Sequence, residues 1–188
     1  MKAENQALIT TLLSITEKSI SEAIYLKTLS SEQLNFKNHP QEWNALQCLE
    51  HLNLYGDFYL PKIEAQILNQ KTSNSKLSFK GGILGNYFAN MIQVKGNSVK
   101  KYKAMKHMTA ESDLLNTTTI ERFLKQQELL KALLKQCINI DLNKPKVDTV
   151  LSRFIKLNMG DTLRFIVYHT ERHMLQARNM VDAIPIID

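Results

Sequence analysis

Apolar residues recur at helical spacing in four long stretches of the chain, with polar residues filling the intervening positions. The first stretch predicts a helix from Asn5 to Leu29. Leu8, Leu12, Ile15 and Ala23, flanked by Ile9, Leu13, Ile20 and Ile24, form a wide stripe with Lys18, Glu22 and Lys27 interspersed. In the connector from Ser30 to Gln41, Ser31 and Glu32 suggest a single turn, and His39-Pro40 forces extended backbone. The second helix is predicted from Asn44 to Gln70. Asn44 is its N-cap, Gln47 completes a capping box, and Trp43 folds back on the first turn as a staple. Pro61 removes one backbone hydrogen bond there and kinks or restarts the helix. A capping box within Thr117-Thr118-Thr119-Ile120-Glu121 opens the third, from Thr118 to Cys137, with Ile120, Phe123, Leu130, Leu133, Leu134 and Cys137 as its buried face. Asn158 and Asp161 open the fourth, from Met159 to Val181, with Pro185 beyond its last turn.

The segments between are less regular. Thr72 to Ser75 reads as a loop, Gly81, Gly82 and Gly85 punctuate the lysine-rich stretch after it, and Leu84 to Val94 predicts a short helix. Val147 to Leu157 is ambiguous between strand and irregular structure. Four amphipathic helices with no clear strand pair and no internal repeat predict an all-α fold, a four-helix bundle. The long connection between the second and third helices lets them run parallel.

Composition narrows the class. The 188 residues, 44% apolar with 6 Gly and 4 Pro, suit one helical domain spanning 1–188 that buries its own core. No apolar run reaches the roughly 18 to 20 residues of a membrane span, and the N-terminus lacks a signal-peptide pattern, so the expected location is the cytoplasm. Cys48 and Cys137 are too few for a disulfide framework and have no zinc-finger spacing. The net charge of +6 has one source: between Ala65 and Ala110 stand eight lysines and no acid. This segment is a solvated face or a lure for an anionic ligand. With no helix-turn-helix, Cys/His finger or aromatic-basic RNA motif, a nucleic-acid partner is disfavoured.

Histidines carry the chemistry. His169 and His173 are four apart on the last helix, so both project from one face at chelating distance, on the stripe that also holds Phe165, Ile166, Gln176 and Met180. His51 shares a face of the second helix with Cys48, Tyr55 and Phe58, again where an apolar residue is wanted. Buried imidazoles need partners, which a metal or ordinary core hydrogen bonds can supply. His39 reads as an exposed loop residue, and His107 has no partner at chelating spacing.

Trp43-Asn-Ala-Leu-Gln-Cys-Leu-Glu-His51-Leu, the Lys103-Ala-Met-Lys106 segment, Gly160-Asp-x-Leu and His169-Thr-Glu-Arg-His173-x-x-Gln176 together resemble the DinB-like (YfiT-like) family of small metal-dependent four-helix bundles. The likeness covers nearly the whole chain. Where the family usually has Ser or Thr after the tryptophan and an acid three residues later, this chain has Asn44 and Gln47, swaps that keep the capping role. The resemblance implies a metal held by His51, His169 and His173. For activity it implies a thiol-dependent transferase or isomerase, or a hydrolase.

Three neutral imidazoles leave coordination positions open and suit zinc, nickel, iron or copper alike, so ligand type does not choose the metal; the expected ion is a divalent transition metal, zinc or nickel first and iron next. Such a site lowers the pKa of bound water or holds a thiolate ready. Candidate catalytic groups are Gln176 on the histidine face and Tyr55 one turn after His51, while Glu50 or Glu171 would have to turn inward. The expected partner is a small-molecule substrate, with a low-molecular-weight thiol as cosubstrate; a homodimer is compatible. The competing readings are a metal-dependent hydrolase and a non-catalytic metal- or ligand-binding bundle.

Overall fold

The computed structural model describes residues 1–72, 77–94, 96, 105–110 and 115–185. In chain order the elements are β1 (Lys2–Glu4), α1 (Asn5–Leu26), α2 (Ser31–Asn35), α3 (Ala45–Leu68), β2 (Ser78–Lys80), α4 (Ile83–Ile92), α5 (Thr117–Gln136), β3 (Lys146–Thr149), β4 (Ser152–Asn158) and α6 (Met159–Asp182). A 3-10 turn, Lys106–Met108, precedes α5. The fold is all-α, as predicted.

Caps set the helix starts. Asn44 accepts from the Gln47 amide while the Gln47 side chain accepts from the Asn44 amide, so the orphan donors of α3 are satisfied reciprocally. Asn158 does the same duty for α6 by accepting from the Asp161 amide at 2.8 Å. At α5 the cap is Asn116, whose side chain accepts from the Thr118 amide, in place of the predicted threonine box. An Asn158→Ala change is expected to cost about 1 kcal/mol, the usual worth of a cap, read as a lowered midpoint in denaturant with unchanged m-value.

Cross-helix contacts give the directions. Asn5 donates to the Ile140 carbonyl and Lys27 pairs with Glu121, so α1 and α5 are antiparallel. Glu50 pairs with Arg122, and Gln126 donates to Asp57, so residue numbers rise together along α3 and α5 and these helices are parallel. His51 meets His169 while Tyr59 meets Phe165, which sets α3 and α6 antiparallel. The order is up, down, down, up. α1 and α3 each pack on both α5 and α6.

Two sequence expectations are corrected. The first helix ends at Leu26 rather than Leu29, and its buried positions are Asn5, Leu8, Ile9, Leu12, Thr16, Ser19, Ala23 and Leu26, leaving Ile24 exposed. Thr16 and Ser19 take core positions because their hydroxyls donate to the carbonyls of Leu12 and Ile15 one turn back. Two antiparallel strand pairs exist where none was clear: Ala3 pairs Phe79, and Val147 pairs Leu157 in a hairpin formed by the ambiguous segment. Pro61 lies inside α3, which runs on past it without a restart, within the predicted span. Of the lysine-rich segment, Lys76, Lys95, Lys100, Lys101 and Lys103 lie outside the described residues.

α6 is anchored by close approach. A Cβ on Gly160 would meet the Phe79 ring at 2.4 Å, and one on Gly85 would meet Asp161 at 2.0 Å, so both positions need the absent side chain for α6 to seat against β2 and α4. The apolar core falls into two clusters along the bundle. One includes Leu26, Leu34, Leu46, Leu49, Phe123 and Met174, and the other Leu12, Tyr59, Ile63, Phe79, Leu130 and Phe165. His51, His169 and His173 sit at the level where these clusters meet.

Candidate metal centre

Each histidine is placed by a helix whose neighbours are apolar. His51 follows Leu49 on α3 and is 2% exposed; His169 on α6 is 6% exposed, and His173, one turn on, is only partly buried. One ring nitrogen from each lies within 4.8 Å of the others. His51 Nε2 and His169 Nε2 are 3.3 Å apart. The rings of His169 and His173 meet edge to face at 4.6 Å, as do those of His51 and His173.

Partners fix the orientation of two rings. His51 Nδ1–H donates to the Met108 carbonyl on the connector ahead of α5, which leaves the Nε2 lone pair facing the cluster. His173 Nδ1–H donates to Gln176 Oε1 at 3.0 Å, with the same result. His169 Nδ1 is buried with no hydrogen-bond partner among the described residues. Tyr55 stacks on the His169 ring at 4.2 Å, and Phe165 lies parallel to it at 5.7 Å.

Burial disfavours the charged imidazole throughout. It lowers His51 to about 4, opposed by the Met108 hydrogen bond, and His173 to about 3, aided by the charges of His51 and Arg172. His169 falls well below its ordinary value, by burial first and then by its histidine neighbours and Arg172. All three are therefore neutral near pH 7, the form that binds metals.

These residues fit a metal ion. Two imidazole nitrogens bound tetrahedrally at about 2.0 to 2.1 Å stand about 3.3 to 3.4 Å apart, which matches the His51–His169 separation. Without a cation the cluster is frustrated. A proton on His169 Nδ1 is a buried donor without an acceptor and leaves two lone pairs opposed, while a proton on Nε2 leaves Nδ1 as a buried acceptor without a donor. A cation held by the Nε2 atoms relieves the opposed lone pairs.

The other candidate groups divide between the cluster and the outer faces of the helices. Gln176 and Tyr55 both touch histidines of the cluster. Glu50 instead accepts from Arg122 and Asn53 on the α5 side. Glu171 is half-buried with its carboxyl raised by desolvation, and Lys18 of α1 is the charge that opposes the shift. His39 is exposed, as expected. Sequence reasoning missed two contributors. The Met108 carbonyl is backbone and has no residue-type signature; Trp43, read as a helix staple, also sets its ring 4.8 Å from His51 and 5.9 Å from His173.

Neither cysteine belongs to the site. Cys48 and Cys137 are fully buried, and burial raises both thiols, Cys137 to about 12. Native protein is expected to resist iodoacetamide for hours at pH 7.5, with both thiols labelling within minutes in 6 M guanidinium, since the thiolate is the reactive form. Mass spectrometry showing prompt native labelling would contradict this burial.

A family model for the DinB superfamily matches residues 19–177, a span holding all three histidines, and the chain belongs to that superfamily. No curated protein and no solved structure matches. Among the described residues no helix is long and apolar enough to cross a membrane.

Proposed function

We propose that this member of the DinB superfamily holds a divalent transition metal, zinc or nickel first and iron next, on His51, His169 and His173, and uses it to transfer a low-molecular-weight thiol to an electrophilic small molecule. The observation that carries the reading is the convergence of three neutral imidazoles, two buried and one partly buried, two of them aimed by hydrogen bonds, with no carboxylate among the described ligands.

A metal on neutral ligands keeps its full charge, which stabilises a thiolate at neutral pH. The chain's own residues do the rest. The Met108 carbonyl and Gln176 keep two lone pairs aimed at one point, and Tyr55 and Phe165 wall His169 from water. His173, the least buried ligand, marks the side from which substrate approaches, beside Trp43 and Gln176. In the transfer, the thiol gives up its proton to solvent, a carbon–sulfur bond forms, and the electrophile's leaving group departs with its electron pair.

The lysine-only stretch supports a carboxylate-bearing thiol as cosubstrate. The cytoplasm, where such thiols stay reduced, is the matching compartment. Hydrolysis is the nearest competitor. It wants a placed base, and of the carboxylates nearest in sequence Glu50 is committed to Arg122, while Glu171 is half-buried and interacts with Lys18 of α1.

Metal-loaded protein should consume 1-chloro-2,4-dinitrobenzene faster with glutathione or cysteine than the uncatalysed pair, and His51→Ala should lose that difference. Ester or amide cleavage without any thiol effect would move the reading to hydrolase. No turnover of either kind would move it to a binding protein.

A further inference from the structure

A concavity lies further along α3 from the cluster of His51, His169 and His173. It has a volume of about 390 Å³ and is lined by Phe58 and Lys62 of α3, His107 and Met108 of the connector, and Asp148 to Val150 at the β3–β4 turn. Phe58 comes seven residues after His51, about 10 Å further along the α3 axis. Tyr59, next in the chain to Phe58 and fully buried, accepts through its hydroxyl from the Val150 amide and so ties α3 to the β3–β4 turn. The cleft is thus built from three separate parts of the chain.

Its charges are unevenly matched. Asp148 is taken by Lys156 at 3.0 Å. Lys62 has no acidic partner among the described residues, and its ammonium stands 4.7 Å over the Phe58 ring. His107 beside it is likewise without a hydrogen bond or ion pair among the described residues. The Thr149 hydroxyl is spent on the Ile155 carbonyl. Among the described residues the lining therefore offers a ligand one free cation at the rim and an apolar wall from Phe58, Met108 and Val150.

From this we infer that the cleft is a binding site for a small amphipathic monoanion, a carboxylate carrying an aromatic or short aliphatic body. The carboxylate pairs with Lys62, and the body lies against Phe58, Met108 and Val150. A multiply charged anion is disfavoured because Asp148 also lines the cleft and Lys62 is the one lysine or arginine among the lining residues. The site is independent of the metal reading, although the two share Met108: its side chain lines the cleft, and its carbonyl holds His51.

Isothermal titration of the full chain with 3-phenylpropionate tests this. Saturable binding is expected, weaker by roughly 10-fold or more for the neutral 3-phenylpropionamide and for Lys62→Met with the acid, since a charge-assisted pair is lost. Lys62→Arg should bind within a few-fold of the native chain, and His173→Ala should bind as the native chain does. The inference is overturned by no saturable heat, by equal binding of acid and amide, by undiminished binding in Lys62→Met, or by loss of binding in His173→Ala, which would put the probe on the histidine cluster.

Discussion

His173→Ala protein, loaded with zinc or nickel and dialysed against chelator, is expected to emerge without stoichiometric metal while the native chain retains it. Loss of one ligand of three should exceed the roughly 10- to 100-fold that removal of a supporting hydrogen bond costs. The fold should persist, because His173 is the least buried of the three and the apolar clusters on either side do not depend on it. Far-ultraviolet circular dichroism unchanged within error, together with loss of metal by elemental analysis, is the combined result. A variant that keeps one metal per chain would remove His173 from the ligand set. Gln176→Ala tests the supporting layer: it frees His173 Nδ1 without removing the ligand, and its metal affinity should fall by about 10-fold to 100-fold.

Asp161→Ala should be the most damaging single change outside the site, at about 3 to 5 kcal/mol. The Asp161 carboxylate is 1% exposed and accepts from the Gly82 amide at 2.7 Å and from Arg164 at 3.0 Å. Removing it leaves a guanidinium that is 3% exposed with only Asn86 as a described partner, and an Nε that already lacks one. It also frees the Gly82 amide at the start of α4. For a chain of this size the loss corresponds to a melting midpoint lower by roughly 6 to 20 °C. Asp161→Ala combined with Arg164→Met should recover part of the deficit, because the cost lies in the stranded charge and not in the missing pair. A single-mutant shift below about 1 kcal/mol would show that Arg164 reaches water.

Much of this architecture could be read from residue patterns, for identifiable reasons. The bundle was legible because Asn44 with Gln47, and Asn158 ahead of Asp161, are local caps whose partners lie three residues away. Ile120, Phe123, Leu130, Leu133, Leu134 and Cys137 were legible as a face because apolar residues dominate that phase of α5, although Thr119 and Gln127 are buried with them. The β1–β2 pair was not. Three residues at one point meet three others more than seventy positions later, and neither run is long enough to show alternation. On α1 the pattern misled because Thr16 and Ser19 satisfy their own hydroxyls and so behave as core residues. His51 announced itself by interrupting an apolar stripe, whereas the Met108 carbonyl that aims it could not, since every residue has one. Asp161 was read as part of a cap; its larger commitment to Arg164 and Gly82 depends on tertiary packing that the i, i+3 spacing alone does not specify.

Trp43 is the chain's single tryptophan, and its indole sits beside two of the three histidines. The protein therefore carries a built-in optical reporter whose light comes from one place, a few ångströms from where the ion would bind. Ions with partly filled d shells quench an excited indole at that range, and zinc, with its d shell full, does not. Titrating the same sample with nickel and then with zinc would thus separate occupancy from identity in a single cuvette: nickel dims the emission, zinc shifts it with little loss, and zinc added in excess to the nickel form restores intensity at the rate at which nickel leaves.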